Sequence, residues 1–428
     1  MKYIVTLLLA FVYYGVSAQN LSKTERRIIQ TIEKNNDGAI SFLEKVVNIN
    51  SGSMNLEGVK EVGDVFYAEF EKLGFDVDWH DMSDVERAGH LFAEAKGKKG
   101  KRILLIGHLD TVFPKDSPFQ KFEKRDGKVY GPGAADMKGG DVIILYALKA
   151  LYETGALKDA QIIVAFTGDE EKPGKPMEIS RKHLRDAAQR SDVALGFEGA
   201  SGLDYAVVGR RGSSGWRLET RGVRAHSSAV FSENVGAGAI FEMGRILTAF
   251  YEDVRGEEFL TFNPGVLMGG TDITYDTANN RGTTFGKSNV VAQQAVVSGG
   301  LRFITEEQKE KTREKMSAIV AGNYPNTTAS ISFTDSYPPM PPSEGNMTLL
   351  RILSDVSTDM GGPEIKPWDP AKRGAADLSF AAPYVDCLGG LGVMGSGAHT
   401  PNETIDLSTF ELQTQKAALL IYRLINSK

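Results

Sequence analysis

The chain has 428 residues, above the size at which one hydrophobic core normally stops growing, so two domains are expected. Hydrophobic residues at 41% and charged residues at 24% exclude wholesale disorder, and a net charge of −6 without a basic stripe excludes the footprint of a nucleic-acid binder. No run of like charge is long enough to form an acidic or basic tail.

Residues 1–18 read as a secretory signal peptide. Lys2 precedes an apolar run, Tyr3 to Val16, that is too short to cross a bilayer, and Val16-Ser17-Ala18 supplies a small-residue cleavage pattern before Gln19. The run has no polar face and is followed by the polar stretch Gln19 to Arg27, which argues against a buried N-terminal helix. The residue after the cleavage point is Gln19 and not cysteine, so no lipid anchor is expected there; no membrane insertion after signal removal is expected, and the mature protein is expected to be secreted or periplasmic. Cys387 is the single cysteine, which rules out an intrachain disulfide and suggests a small buried apolar residue.

Strands and helices then alternate. Ile103 to Ile106, Gln161 to Phe166 and Asp192 to Phe197 are apolar runs of strand length, with a helix predicted from Met137 to Tyr152. The pattern predicts an α/β catalytic domain with a mostly parallel central sheet flanked by helices. Near Gly209 the texture changes. Gly215 to Thr220 alternates like a half-exposed strand, Ala237 to Val254 is an amphipathic helix, and Asn289 to Phe303 reads as a strand pair or one long strand. Thr305 and Gln308 form a capping box for another helix, and Ala329 to Phe333 is a last strand. These elements predict a small α+β domain, residues 209–337, inserted as a lid between catalytic segments 19–208 and 338–428. The proline-rich connector Tyr337 to Pro342 closes it, and a helix from Ser408 to Leu424 ends the chain.

The polar residues at the strand ends carry the chemistry. The loop 129–140, VYGPGAADMKGG, begins like a dinucleotide-binding fingerprint at Gly131 and Gly133, but Asp136 stands where the third glycine belongs. A carboxylate there repels a phosphate and suits a cation. His108-Leu109-Asp110, Asp169-Glu170-Glu171 and Glu198 each follow a predicted strand, and His399 lies in the small-residue turn 395–399. Ligands in open α/β sheets gather at the carboxyl ends of strands, so these residues can converge. Taken singly, a His-x-Asp triplet, an acidic turn or a glycine loop is ordinarily structural; their joint occurrence in order is not. Two histidines and several carboxylates suit zinc, with cobalt or manganese as substitutes, and the donors outnumber what one tetrahedral ion needs. Two ions sharing a carboxylate, about 3.5–4 Å apart, would use the set. His108 and Asp110 face the same side of a strand end, so one can ligate while the other orients it.

The segments GHLDTV (107–112), GPGAADMKGG (131–140), TGDEE (167–171), FEGA (197–200) and GAHTPNE (397–403) together resemble the zinc-dependent exopeptidase family typified by bacterial glutamate carboxypeptidase. The resemblance extends from about Ile40 to the C-terminus. It implies that His108 and Glu198 hold one metal, that Glu171 and His399 hold the other, and that Asp136 bridges them. It further implies Glu170 as general base, Asp110 as the orienter of His108, and a cis peptide at Asp136-Met137. His226, in Gly222-Val223-Arg224-Ala225-His226, matches a histidine that assists oxyanion stabilisation, often in the dimer partner's site; an exposed loop histidine is the plain alternative. Asn289 and Arg302 match positions that grip a terminal carboxylate, a task suited to the planar guanidinium fork. An arginine paired with a nearby glutamate is the plain alternative for Arg302. One departure is Lys372 to Asp377, KRGAAD, where the family usually shows a Gly-Gly-Ser/Thr-Asp-Ala type of loop, and this leaves substrate choice open.

The resemblance therefore implies a dizinc hydrolase acting on a peptide or an N-acyl amino acid, most simply a carboxypeptidase with glutamate as one leaving group. A homodimer formed through the inserted domain is also implied. The alternatives are an aminopeptidase or dipeptidase of the same family, or a catalytically silent peptide- or metal-binding protein, against which the base Glu170 argues.

Overall fold

The computed structural model describes residues 20–276 and 281–427; the expected signal peptide, residues 1–18, lies outside them. Its centre is a six-stranded sheet in the order Asp76–Met82, Arg87–Lys96, Ala160–Thr167, Lys99–His108, Val193–Gly196, Asp386–Leu388. The first two pairings are antiparallel and the other three parallel, which gives the mixed, mostly parallel sheet expected from strands separated by helices.

Alternation along one strand explains why helices cover both faces. Ile103 and Leu105 enter the larger core beneath helices Lys23–Val47, Gly139–Glu153 and Leu407–Asn426, whereas Leu104 and Ile106 enter a second core with Leu184, Ala187 and Phe380. All four are at most 3% exposed, so each contributes the roughly 1.5–3 kcal/mol of a fully buried aliphatic side chain. The polar stretch after Gln19 begins the first helix. Ser22 Oγ accepts from the Glu25 amide (3.2 Å) while Glu25 Oε2 accepts from the Ser22 amide (2.7 Å), a complete capping box. Cys387 is buried and free, as its solitary occurrence suggests.

A separate antiparallel sheet, ordered Thr261–Gly270, Gln294–Phe303, Gly212–Gly222, Thr327–Asp335, packs against helices Ala239–Ala249 and Glu306–Ala321. Gly212–Gly222 alternates buried and half-buried residues along its length, which is the pattern that marks it in the sequence. Two details differ from expectation. The strand predicted from Asn289 starts at Gln294, and its antiparallel neighbour is Thr261–Gly270, a mostly exposed strand interrupted by Pro264 and Gly265 that offers no hydrophobic period. A hairpin, Asp272–Asp276 with Arg281–Phe285, follows it. The capping box at Thr305 is also altered. Thr305 Oγ1 accepts from the Gln308 amide (3.0 Å), but the Gln308 side chain reaches the amide of Ile304 (3.0 Å) rather than that of Thr305.

Two connections join the sheets, and they pair with each other where Arg210 and Met340 exchange backbone hydrogen bonds of 2.8 and 2.9 Å. Tyr337, in the proline-rich connection, donates its hydroxyl proton to the carbonyl of Glu170 (2.8 Å) and accepts from Arg181 Nη2 (3.3 Å). Arg181 is fully buried between two carboxylates, Nε donating to Asp377 Oδ1 (2.7 Å) and Nη1 to Asp169 Oδ1. Breaking a buried pair strands its charges, so Arg181→Ala is expected to lower unfolding free energy by about 3–5 kcal/mol, measured by urea denaturation. A loss under about 1 kcal/mol would show that the network is not holding the fold.

Candidate metal centre

In the order of the central sheet, Ala160–Thr167, Lys99–His108 and Val193–Gly196 are neighbours, with His108 opposite Thr167 and Ile106 opposite Gly196. Their carboxyl ends therefore deliver His108, the turn 168–171 and Glu198 to one place, as a parallel sheet does. His108 is buried. Its Nδ1 lies 3.0 Å from the carbonyl of Asp110, and since a carbonyl only accepts, Nδ1 carries the hydrogen and Nε2 faces Asp136 Oδ1 (3.2 Å) and Glu198 Oε1 (3.9 Å).

The orienting contact from Asp110 is thus chiefly its backbone oxygen; the carboxylate stands 3.5 Å from the ring nitrogen. That carboxylate has other partners. It accepts from the amides of Glu170 (2.9 Å) and Glu171 (3.1 Å) and from Ser53 Oγ (2.6 Å), which fixes the turn carrying both glutamates.

Asp136 sits in the glycine-rich loop. Gly133 adopts φ +75°, a conformation suited to glycine, and the Asp136-Met137 peptide is cis, as the resemblance implies. Asp136 Oδ2 lies 3.1 Å from His399 Nε2, which is itself 3.1 Å from Glu171 Oε2. Two donor groups result, His108, Asp136 and Glu198 on one side and Asp136, Glu171 and His399 on the other, each with ligand atoms within 4.8 Å of one another. The shared aspartate offers a different oxygen to each group. This nitrogen and oxygen donor set fits a pair of borderline divalent cations such as zinc.

The electrostatics agree with a cation site. Burial pushes Glu171 up to about 8, aided by Asp136 and Asp110, and pushes Glu170 well above the carboxylate range, aided by Glu198 and Asp377. Hydrogen bonding to Asp136 raises His399 to about 9. For Asp136 burial acts upward, but the hydrogen bonds from His108 and His399 outweigh it and hold the group low. Protons thus occupy positions where cations would satisfy the same negative field.

Some contributors carried no sequence signal strong enough to single them out. Glu403 is 1% exposed and accepts three backbone hydrogen bonds from the Asp136 loop: Gly133 (3.2 Å), Ala135 (2.8 Å) and Asp136 (3.0 Å). It closes the GAHTPNE segment, so its place in that motif was the available clue. Arg181 is the turn residue between the short helices Met177–Ser180 and Lys182–Gln189, a polar stretch whose composition gives no hint of a buried guanidinium. Asp377, in the divergent KRGAAD loop, accepts from Thr167 Oγ1 (2.5 Å) and from Arg181, so that loop retains a structural acid despite its altered order.

His226, Asn289 and Arg302 stand apart from this cluster. His226 caps the turn Ser227–Ala229, with Ser228 Oγ 2.8 Å from Nδ1, and the Asn289 carbonyl accepts from the Ser227 amide (2.9 Å). Arg302 is exposed on its strand opposite Ser213 and Thr261. Among the described residues none of the three bonds to the metal-ligand cluster. A cleft of about 850 Å³, lined by Ser53, Met54, Leu56, Thr111, Val112 and Glu171, opens beside it.

Comparison with known proteins gives a consistent result. The profile of peptidase family M20/M25/M40 matches residues 104–424. The chain is 27% identical over 409 residues to carboxypeptidase G2 of Pseudomonas sp. (strain RS-16), covering 93% of this chain and 92% of that protein. It is 26% identical to the succinyl-diaminopimelate desuccinylase of Bordetella petrii, covering 74% and 81%. The crystal structure of aminopeptidase PepT from Bacillus cereus superposes with a TM-score of 0.73 at 18% identity, covering 91% of this chain and 99% of that one, a likeness of fold.

Two outcomes follow from the geometry. At pH 7 the raised pKa values of His399 and Glu171 keep both protonated in protein stripped by chelation, so adding zinc must expel protons. Proton release in weak buffer should be large at pH 7 and shrink above pH 9, with zinc affinity rising over that interval; no release at pH 7 would remove both residues from the ligand set. Glu403→Gln replaces an acceptor oxygen by a donor facing backbone amides, and zinc affinity measured by competition with a chelator should fall about 10–100-fold.

Proposed function

The chain belongs to peptidase family M20/M25/M40, and from that premise we propose that it is a dizinc hydrolase that releases a C-terminal amino acid, glutamate being one candidate, or deacylates an N-acyl amino acid. The observation that carries this reading is Asp136, whose two oxygens face separate histidine-carboxylate groups. His108 and Glu198 would hold one zinc, Glu171 and His399 the other, and Asp136 would serve both. When bound, such a pair supplies Lewis acidity, lowering the pKa of water and drawing charge from a carbonyl oxygen.

The chain's own groups complete the chemistry. Glu170 takes a proton from the attacking water and returns it to the departing nitrogen. Its backbone supports that task, since the amide donates to Asp110 and the carbonyl accepts from Tyr337, leaving the carboxyl as the free end of a fixed residue. Support for an acidic substrate comes from two relatives named as a carboxypeptidase and a desuccinylase, whose names imply cleavage beside carboxyl-bearing groups. Arg302 and Asn289 grip the terminal carboxylate, and His226 adds an oxyanion donor to the site of a dimer partner. Residues 209–337 act as lid and dimer contact, and the signal peptide directs export.

The test is amide hydrolysis by the zinc-loaded protein on C-terminally varied dipeptides, N-acyl amino acids and free-amine peptides, before and after chelation. Glu170→Gln should lower kcat by about 10²–10⁴ while two zinc ions per chain are retained. Activity within about tenfold of wild type would remove Glu170 as the base. Preference for a free amine over a free carboxylate would move the assignment to an aminopeptidase.

A further inference from the structure

Three of the chain's six histidines, His80, His90 and His183, gather at one edge of the central sheet, and none of them belongs to the metal-ligand cluster. His80 and His90 are paired residues on the antiparallel strands Asp76–Met82 and Arg87–Lys96, so both side chains rise from the same face. His183, on helix Lys182–Gln189, lies flat on His80, with ring centroids 3.9 Å apart and planes 7° from parallel. The Phe92 ring stands steeply against both, at 5.0 Å from His80 and 6.3 Å from His183.

The three rings differ in how they can receive a proton. Nδ1 of His90 accepts from the Gly168 amide (3.0 Å), so Nε2 carries the hydrogen and donates to the Ser180 carbonyl (2.9 Å). That ring is buried and neutral, with both nitrogens engaged. His80 and His183 are half-buried, and Nδ1 of His183 is buried without a hydrogen-bond partner. Two parallel imidazoles in contact pack well while neutral and repel each other once charged.

The surrounding charges do little to offset that repulsion. On the helix, Lys182 adds positive charge and Asp186 is already paired with it (2.5 Å). On the strand, exposed Asp78 favours charge on His80 alone. Behind His90, Asp169 and Arg181 are paired with each other. Burial, with His80, His90 and Lys182, accordingly brings the His183 ring down to about 4.

This helix is tied to the metal centre through the two residues before it. Ser180 Oγ donates to Asp169 Oδ2 (2.7 Å) and Arg181 Nη2 to the Asp169 carbonyl (3.1 Å), and Asp169 immediately precedes Glu170. The remaining hold of the helix on the sheet is the small apolar set Leu184, Ala187 and Ala188.

We propose that the His80–His183 stack is an acid-sensitive latch, which when neutral clamps helix Lys182–Gln189 to the sheet edge and when protonated releases it, slackening the grip of Ser180 and Arg181 on the turn 168–171. The latch stands whether or not the chain hydrolyses amides. A ring freed from the stack takes a proton at its ordinary value of 6.5, whereas the stacked ring refuses it down to about 4. Closure is therefore fully favoured above pH 6.5 and weakens as pH falls through that window. The whole shift would raise opening about 30-fold between pH 7.5 and 5; solvent at the half-exposed ring screens part of it, leaving roughly tenfold.

The test is amide hydrogen exchange of the zinc-loaded mature protein at pH 7.5 and 5.0, read by mass spectrometry and corrected for the intrinsic pH dependence of exchange. Protection of segments 177–190 and 168–171 should fall about tenfold in the wild type. His183→Phe keeps a flat ring on His80 but cannot take a proton, and should hold both segments within about threefold. Acid loss of zinc would act on both proteins alike, so the difference between them reports the latch. Equal losses in the two proteins, no loss in either, or a loss at 177–190 that leaves 168–171 unchanged would each overturn it. If His183→Phe does not fold, NMR titration of the wild-type rings decides: half-protonation of His183 below about pH 5.5 upholds the latch, and half-protonation at or above that pH overturns it.

Discussion

A single carboxylate facing two histidines at once is the constraint on which the rest of this structure depends. Asp136 directs one oxygen to His108 and the other to His399, residues that belong to opposite ends of the chain. Holding a side chain to that accuracy requires a backbone that cannot drift, and the glycine-rich loop is secured by three amide hydrogen bonds to Glu403. Asp110 performs the matching service for the turn bearing Glu170 and Glu171. Two buried carboxylates thus spend their hydrogen-bonding capacity on main-chain amides so that others can face the cleft.

Much of this was legible in the sequence because a parallel sheet converts order along the chain into proximity in space. Three apolar runs each ending in a polar cluster become three neighbouring strand ends, which brings His108, the turn 168–171 and Glu198 together, while the choice of Glu171 within its turn came from the family resemblance. Glycines and the central acid marked the loop of Asp136. Less of the second sheet could be read, since Thr261–Gly270 is a mostly exposed strand containing Pro264, and periodicity fails where there is little to bury. The arginines were harder still. Nothing in a string of letters distinguishes Arg181, sealed between two acids, from Arg185 four residues on, which reaches only a carbonyl at the surface. Long-range pairing decides that difference, and sequence neighbours do not report it.

Charge is distributed unevenly about the centre. Carboxylates crowd the metal-ligand side, where burial and mutual repulsion raise Glu170 and Glu171, while Arg210 and Arg373 occupy the flank beyond Glu198. Cations placed among the carboxylates would relieve the first excess, and Glu198, Glu170 and Asp136 already offset part of the second.

The hydroxyl of Tyr337 ties the strap leaving the second sheet to the carbonyl of Glu170. The connection between the two sheets is therefore not mechanically insulated from the candidate metal centre: a displacement of the outer sheet that pulled on this strap would also pull on Glu170. If Glu170 is the proposed base, its placement and that of the outer sheet share this one hydrogen bond.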